Sequence, residues 1–137
     1  MRSDAEEGQP LVKCAAAIVR DDRVLLVRKR GTTELISPGG KPEAGESHID
    51  CLRRELSEEL GASLASATYF GTYEDVSVFD QGRPITIVVY ICDITGDPQP
   101  HSEIEALEWL PMTCLPGGES TFQRRVIPDI ARASGWC

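Results

Sequence analysis

The segment 31–62 constrains the fold of this chain more than any other, because it joins a loop rich in glycine and proline to a short acidic helix. Glycine and proline recur up to Gly45, which favours a long, shaped loop of the kind that carries functional groups. Ser47 is a suitable helix N-cap and Gly61 a suitable C-terminal stop. Apolar residues at helical spacing between them predict one buried stripe: Ile49, Leu52, Leu56 and Leu60.

Three carboxylates, Glu55, Glu58 and Glu59, share one face of this predicted helix, beside the apolar stripe. Like charges at these spacings destabilise a helix by roughly a few tenths of a kcal/mol per pair, so a partner usually offsets them. A hard divalent cation suits this purpose, because carboxylate oxygens are good ligands for Mg²⁺ and Mn²⁺. Arg54 can pair with Glu58 one turn later, and Glu46 can fold back to the same place. Acids on a helix alone would more simply indicate a solvated face, so the preceding loop decides the interpretation.

Loop and helix together resemble the Nudix box, whose pattern is G-x5-E-x7-R-E-U-x-E-E-x-G-U, with U a bulky aliphatic residue. The matching residues are Gly40, Glu46, Arg54, Glu55, Leu56, Glu58, Glu59 and Gly61. Ala62 is smaller than the final aliphatic residue of the pattern, which we interpret as a change in packing that leaves the acids untouched. The resemblance is to MutT-like members of the Nudix hydrolase superfamily. It implies an α/β/α sandwich with a mixed β-sheet between helices.

The resemblance also implies a metal site that holds Mg²⁺ or Mn²⁺. Its expected ligands are four carboxylates and one backbone carbonyl of the loop: Gly39, Glu46, Glu55, Glu58 and Glu59. Metal ions would neutralise an anionic diphosphate and acidify a bound water, and a carboxylate would then accept the proton of that water.

Four residues are predicted to be catalytic. Glu55 is the expected base within the box. Arg54 and Glu58 are the other two catalytic residues that the box supplies. Glu103 is added because related enzymes often carry a further metal-binding or basic glutamate in a later polar loop, although an exposed glutamate is common in any such loop.

Basic residues on either side of the loop are the candidate phosphate contacts. Lys41 follows the two loop glycines, and Arg28 and Arg30 belong to a basic run at the end of a predicted strand. A solvated strand end explains that run equally well. For a nucleobase, the aromatic candidates are Tyr73, Phe79 and Phe122, and the segment 116–121 is a candidate lip of the base pocket.

The expected reaction is hydrolysis of a nucleoside diphosphate linked to a further group, by attack of water at phosphorus. Length and the Pro38–Lys41 loop resemble the branch that converts (deoxy)nucleoside triphosphates, including oxidised purines such as 8-oxo-dGTP, to monophosphate and pyrophosphate. ADP-ribose or a nucleotide sugar remains an alternative substrate. A non-catalytic nucleotide-binding module is another alternative, but such modules tend to lose box acids and none is lost here.

The remaining sequence predicts one domain over 11–137, after a flexible tail over 1–10. Strands are expected at 11–19, 24–29, 67–78, 84–93 and 107–110, with a last helix from Ser120 to Ala133 that Pro128 bends or interrupts. The first two strands should form a hairpin. The five cysteines are expected to be reduced and mostly packed as small hydrophobes.

Charge and hydropathy limit the partners. The net charge of −8 argues against a nucleic-acid polymer, although metal ions can mediate contact with a small nucleotide. The sequence has no apolar run of about 18 residues, which argues against a membrane partner. The polar N-terminus has no stretch of the signal-peptide type, so the cytoplasm is the expected compartment. Dimerisation is common in the family whose box this chain resembles, so a homodimer is an open alternative.

Overall fold

The computed structural model describes residues 11–76 and 82–137, so the predicted tail and Phe79 lie outside the described residues. The strands are β1 (Leu11–Arg20), β2 (Arg23–Lys29), β3 (Leu35–Ile36), β4 (Gly39–Gly40), β5 (Ser63–Val76), β6 (Pro84–Thr95) and β7 (Ile104–Pro111). The helices are α1 (His48–Leu60), a π-helical turn (Phe122–Val126) and α2 (Ile127–Ala133). Among the described residues, no helix is both long and apolar enough to cross a membrane.

The strands form the mixed sheet that the sequence predicts. β1 and β2 are antiparallel and close through Asp21 and Asp22, so the expected hairpin is confirmed. The order along the sheet is β3-β2-β1-β6-β5, with β4 paired to β1 and β7 paired to β2. β1 runs parallel to β6, whereas the other pairings are antiparallel. β1 therefore lies at the centre of the sheet.

Side chains of β1 alternate between two hydrophobic cores, because successive residues of a strand point to opposite faces of a sheet. Cys14, Ala16 and Ile18 pack in the core that contains α1. Ala15 and Ala17 pack in the core on the other face, which contains the π-helical turn and α2. Helices therefore cover both faces of the sheet, and the predicted α/β/α sandwich is confirmed.

Helix α1 begins and ends where the sequence predicts. The Ser47 hydroxyl accepts a hydrogen bond from the backbone N–H of Asp50, and Gly61 ends the helix in the left-handed conformation, with φ of 63°. Three residues of the predicted apolar stripe are fully buried: Leu52, Leu56 and Leu60. The first residue of the stripe, Ile49, is only partly buried. The helix is thereby fixed against the sheet along its last three turns.

The C-terminal helix differs from its prediction. It is an α-helix only from Ile127, and the preceding turn is π-helical. Pro128 lies in the first turn of α2 rather than in the middle of a helix, where its missing N–H costs little. Ser120 does cap this region, since its hydroxyl accepts a hydrogen bond from the backbone N–H of Gln123 at 3.3 Å.

The expectation of reduced cysteines is correct for three positions and wrong for two. Cys14, Cys51 and Cys92 are buried free thiols. Cys114 and Cys137 form a disulfide, with their Cα atoms 6.3 Å apart. The fold brings the chain end back to the loop after β7, a long-range proximity that cysteine spacing alone does not reveal.

Candidate active site

The predicted functional loop lies against the centre of β1. Gly39 pairs with Ala15 and has φ of 130°, a conformation that side chains rarely adopt. A Cβ at Gly39 would lie 2.0 Å from the Cys14 carbonyl oxygen, so only glycine allows this close approach. At Gly40 a Cβ would lie 2.5 Å from the carboxyl carbon of Glu55. The two glycines therefore bring the loop backbone against both the sheet and α1.

Glu59 fastens this loop to α1. Its Oε1 accepts a hydrogen bond from the Gly39 N–H at 3.0 Å, and the residue is only 3% exposed. Burial raises the pKa of the Glu59 carboxyl to about 7, although the Gly39 hydrogen bond and the charge of Lys13 oppose the rise. The sequence placed the three helix acids together beside the core. Glu59 instead lies within it, and Glu58 points outward with 56% of its side chain exposed.

Arg54 is the centre of the acidic cluster. Its Nε and Nη2 atoms donate to the two oxygens of Glu46, both at 2.9 Å, and Nη1 donates to Glu55 at 2.7 Å. The predicted partner, Glu58, is farther away at 3.6 Å. The hydrogen bonds from Arg54 lower the pKa of Glu46 to about 2, and those to Glu46 raise the pKa of Arg54. Burial raises the pKa of Glu55, although the hydrogen bond and the charge of Arg54 act to lower it.

Carboxylates outnumber cations around Arg54. Glu43, Glu46, Glu55 and Glu58 all have an oxygen within 4 Å of its guanidinium. No three acidic, histidine or cysteine residues in the described parts of the chain surround a common point as a preformed metal site. The donors are nevertheless all oxygens and carry excess negative charge, and Glu55 lies directly over the Gly40 backbone. This chemistry fits a hard divalent cation.

A cavity of about 550 Å³ opens beside this cluster. One side, which we call the acidic wall, consists of Gly39, Gly40, Lys41, Glu43, Arg54 and Glu55. Another side, the apolar wall, consists of Val76, Ile85, Ile87 and Phe122, with the hydroxyls of Ser120 and Thr121 at its edge. The volume is typical of small-molecule sites, which are mostly apolar with a few placed polar groups.

The edge of the apolar wall belongs to the predicted lip. Thr121 donates to Asp75 at 2.9 Å, and Arg124 donates to the same carboxylate oxygen at 2.6 Å. Of the aromatic candidates, Phe122 lines the cavity, whereas Tyr73 is buried and donates its hydroxyl to Asp129 at 2.8 Å. Among the described aromatic candidates, Phe122 is therefore the one that lines the cavity, and it is itself a buried residue of the core.

The structure separates the predicted phosphate contacts. Lys41 lines the cavity. Arg28 donates to the Thr32 carbonyl at 3.1 Å and Arg30 to the Ser102 carbonyl at 3.2 Å, and neither is among the residues that line the cavity. The residue between them, Lys29, does line it. Strand alternation accounts for the difference between Arg28 and Lys29, whereas Arg30 lies in the turn after β2.

Two further charged residues line the cavity. Glu103 lines it and its Oε1 lies 3.4 Å from the Lys29 ammonium, so the structure brings this predicted residue beside the box. Lys13 also lines it, and sequence reasoning missed this residue. The available signal was a charged residue in the interior of a strand whose other charged residue, Arg20, is its last.

The comparisons with known proteins identify the family of this chain. A family model described as NUDIX domain matches residues 10–130. The crystal structure of a MutT NUDIX hydrolase from Burkholderia pseudomallei is 31% identical with a TM-score of 0.73, covering 88% of this chain and 97% of that one.

Two curated relatives are similar in sequence. The CTP pyrophosphohydrolase of Escherichia coli (strain K12) is 35% identical over 101 residues, which cover 69% of this chain and 71% of that protein. The ADP-ribose pyrophosphatase of Methanocaldococcus jannaschii is 26% identical over 110 residues, and the match covers 78% of this chain but 65% of that protein. Because the domain match extends over most of the sequence and includes the complete box, the chain belongs to the NUDIX family.

Proposed function

We propose that this protein is a divalent-metal-dependent pyrophosphohydrolase that cleaves a (deoxy)nucleoside triphosphate to monophosphate and pyrophosphate. The observation that carries the proposal is the cavity in which the acidic wall and the apolar wall meet. A nucleotide has the same two parts, since its phosphates are anionic and its base is flat and largely apolar on its faces. An oxidised purine nucleotide such as 8-oxo-dGTP falls within this class.

The metal would be held by the backbone carbonyl of Gly39 in the loop and by four carboxylates of the box: Glu46, Glu55, Glu58 and Glu59. Mg²⁺ or Mn²⁺ bound there would neutralise phosphate charge and lower the pKa of a bound water. Glu46 is positioned for this role by Arg54, and Glu59 by the Gly39 N–H. Glu58 is the most exposed carboxylate of this set.

The remaining residues would bind substrate and move one proton. Glu55 is the proposed base, because it is the helix carboxylate that lines the cavity, and its Oε1 is oriented by Arg54 at 2.7 Å. Lys29 and Lys41 line the same cavity and carry the charge that phosphate oxygens require. Glu103 is adjacent to Lys29 and can orient that ammonium or assist the base. Positioning and charge stabilisation of this kind account for most of the catalysis of phosphoryl transfer.

An ADP-ribose or nucleotide-sugar substrate is the second candidate, because one of the relatives described above is named as an ADP-ribose pyrophosphatase. Both candidates share the diphosphate chemistry and differ in what lies beyond it. The relative named as a CTP pyrophosphohydrolase has the higher identity, and its name fits the triphosphate proposal.

A substrate panel tests the proposal. Purified protein with excess Mg²⁺ is given canonical and oxidised (deoxy)nucleoside triphosphates, ADP-ribose, dinucleoside polyphosphates and nucleotide sugars, and the products are identified. We expect one triphosphate to be preferred and to give monophosphate and pyrophosphate. Preference for ADP-ribose or a sugar nucleotide would reject the triphosphate assignment. Absence of turnover, in protein that binds Mg²⁺, would instead favour a nucleotide-binding module.

A further inference from the structure

Lys13 is a cation in an apolar row of β1. On its face of the strand it is followed by Ala15 and Ala17, which are fully buried in the core that contains α2. Its partner on β6 is Ile87, also part of that core. Lys13 is itself partly buried, and removing an ammonium group from water among such neighbours is costly unless it is compensated. An aliphatic residue would suit the packing better, so the charge has another use.

The contacts of Lys13 leave part of its hydrogen-bonding capacity available. Its Nζ donates to the backbone carbonyl of Ser37 at 2.8 Å, which uses one of three N–H donors. The charges of Glu59 and Glu55 attract the ammonium, and that of Lys29 repels it. The side chain also lines the cavity, where its remaining donors can meet a ligand. A lysine ammonium accepts no hydrogen bond, so the ligand atom must be an acceptor.

The position of Lys13 indicates which part of a nucleotide it meets. Its backbone is adjacent to Ile87 of the apolar wall, and its ammonium lies against Ser37, just before the glycines of the acidic wall. Lys29 and Lys41 already supply cations beside the acidic wall. The ligand group that packs on Ile87 and also reaches Lys13 is therefore the base rather than the terminal phosphates.

We propose that Lys13 is a specificity-determining residue that donates a hydrogen bond to a ring carbonyl oxygen of the nucleobase. The inference rests on the proposed function, because it assumes that a nucleotide occupies the cavity. Guanine, hypoxanthine and the pyrimidines carry such an oxygen, whereas adenine carries none. Hypoxanthine and adenine have the same ring system and differ only at C6 and N1. Hypoxanthine has the carbonyl and an N–H there, whereas adenine has an amino group and an unprotonated nitrogen, so the pair tests the carbonyl contact.

Binding of three monophosphates tests the inference without metal or turnover. Inosine monophosphate, adenosine monophosphate and ribose 5-phosphate are titrated into wild type and Lys13→Met in EDTA, and NMR shifts give the dissociation constants. Wild type should bind the inosine compound most tightly. Lys13→Met should weaken that binding by at least about tenfold, the scale of a hydrogen bond to a charged donor. Its binding of the other two compounds should not change.

Equal weakening of all three compounds would overturn the inference, since it would make Lys13 a phosphate contact. Equal binding of the inosine and adenosine compounds by wild type would overturn it as well. Lys41→Met is the matched control and should weaken all three alike. Lys13→Gln keeps an N–H donor and should retain part of the preference, and thermal unfolding of each variant shows that it is folded. Absence of nucleotide hydrolysis by the wild-type protein would reject the proposed function. Unchanged binding of inosine monophosphate by Lys13→Met would reject only this inference.

Discussion

Single side chains divide the work of the acidic cluster. Arg54 presents a planar set of donors, so it can hold Glu46 with two atoms and Glu55 with a third, an arrangement that a lysine could not reproduce. Glu59 is committed to the loop backbone, and Glu55 is the acid held at the cavity. The box therefore contains acids of different exposure and partner, although the sequence pattern treats them alike.

Glu55→Gln tests the most demanding of these roles. The change keeps size and hydrogen bonding but removes the charge that a base and metal ligand requires. We expect kcat/KM to fall by at least about a hundredfold, the scale of losing a general base or an electrostatic stabiliser. Glu105→Gln is the matched control, because Glu105 lies outside the cavity lining and 3.6 Å from Arg28. Wild-type activity in a folded Glu55→Gln protein would exclude Glu55 as the base.

The clustering of box residues could be predicted from spacing, because one helix face and one loop bring them together. The burial of Glu59 could not, since it depends on the distant Gly39 N–H. Lys13 could not be assigned for the same reason. Its partner, Ser37, is 24 residues away in sequence, and an isolated lysine in a strand commonly extends its ammonium to solvent.

The loop and helix α1 act as one structural unit through close backbone contacts. β4 joins the loop to β1 at Cys14 and Ala15, and the Pro38 carbonyl accepts a hydrogen bond from the Ala16 N–H at 2.9 Å. The capped helix then places Glu55 over Gly40. The helix caps and the loop glycines allowed this unit to be predicted from the sequence. The two short strands within the loop, β3 and β4, were not predicted, because they form only by long-range pairing.

Gly39→Ala tests how strongly this unit depends on its glycine. The added Cβ would collide with the Cys14 carbonyl, and alanine would be strained at φ of 130°. We expect the free energy of unfolding, measured in urea, to fall by roughly 3 kcal/mol or more. Gly117→Ala is the matched control, because a Cβ there meets no atom within 4 Å and should change stability by less than about 0.5 kcal/mol. Equal stability of the two variants would mean that the loop lies elsewhere.

The complete fold creates the cavity by joining parts that are distant in sequence. The mixed sheet and its helix layers could be predicted from the order of strands and helices along the chain and from the helical spacing of apolar residues. Those features are local, because an element that buries one face carries apolar residues at its own period. The apolar wall could not be predicted, since it combines β6 with Phe122 beyond β7. The Cys114–Cys137 disulfide closes the segment that contains Ser120–Phe122, so one edge of the cavity lies within a covalent loop.

Removal of metal examines the proposed chemistry of this assembled site. The preferred substrate is incubated with the protein in excess EDTA, and Mg²⁺ or Mn²⁺ is then added beyond the chelator. Hydrolysis should stop in EDTA and return with the metal, because the excess carboxylate charge around Arg54 would otherwise repel the phosphates. Hydrolysis at the full rate in EDTA would show that the box carboxylates do not work through a metal ion, and the proposed mechanism would fail.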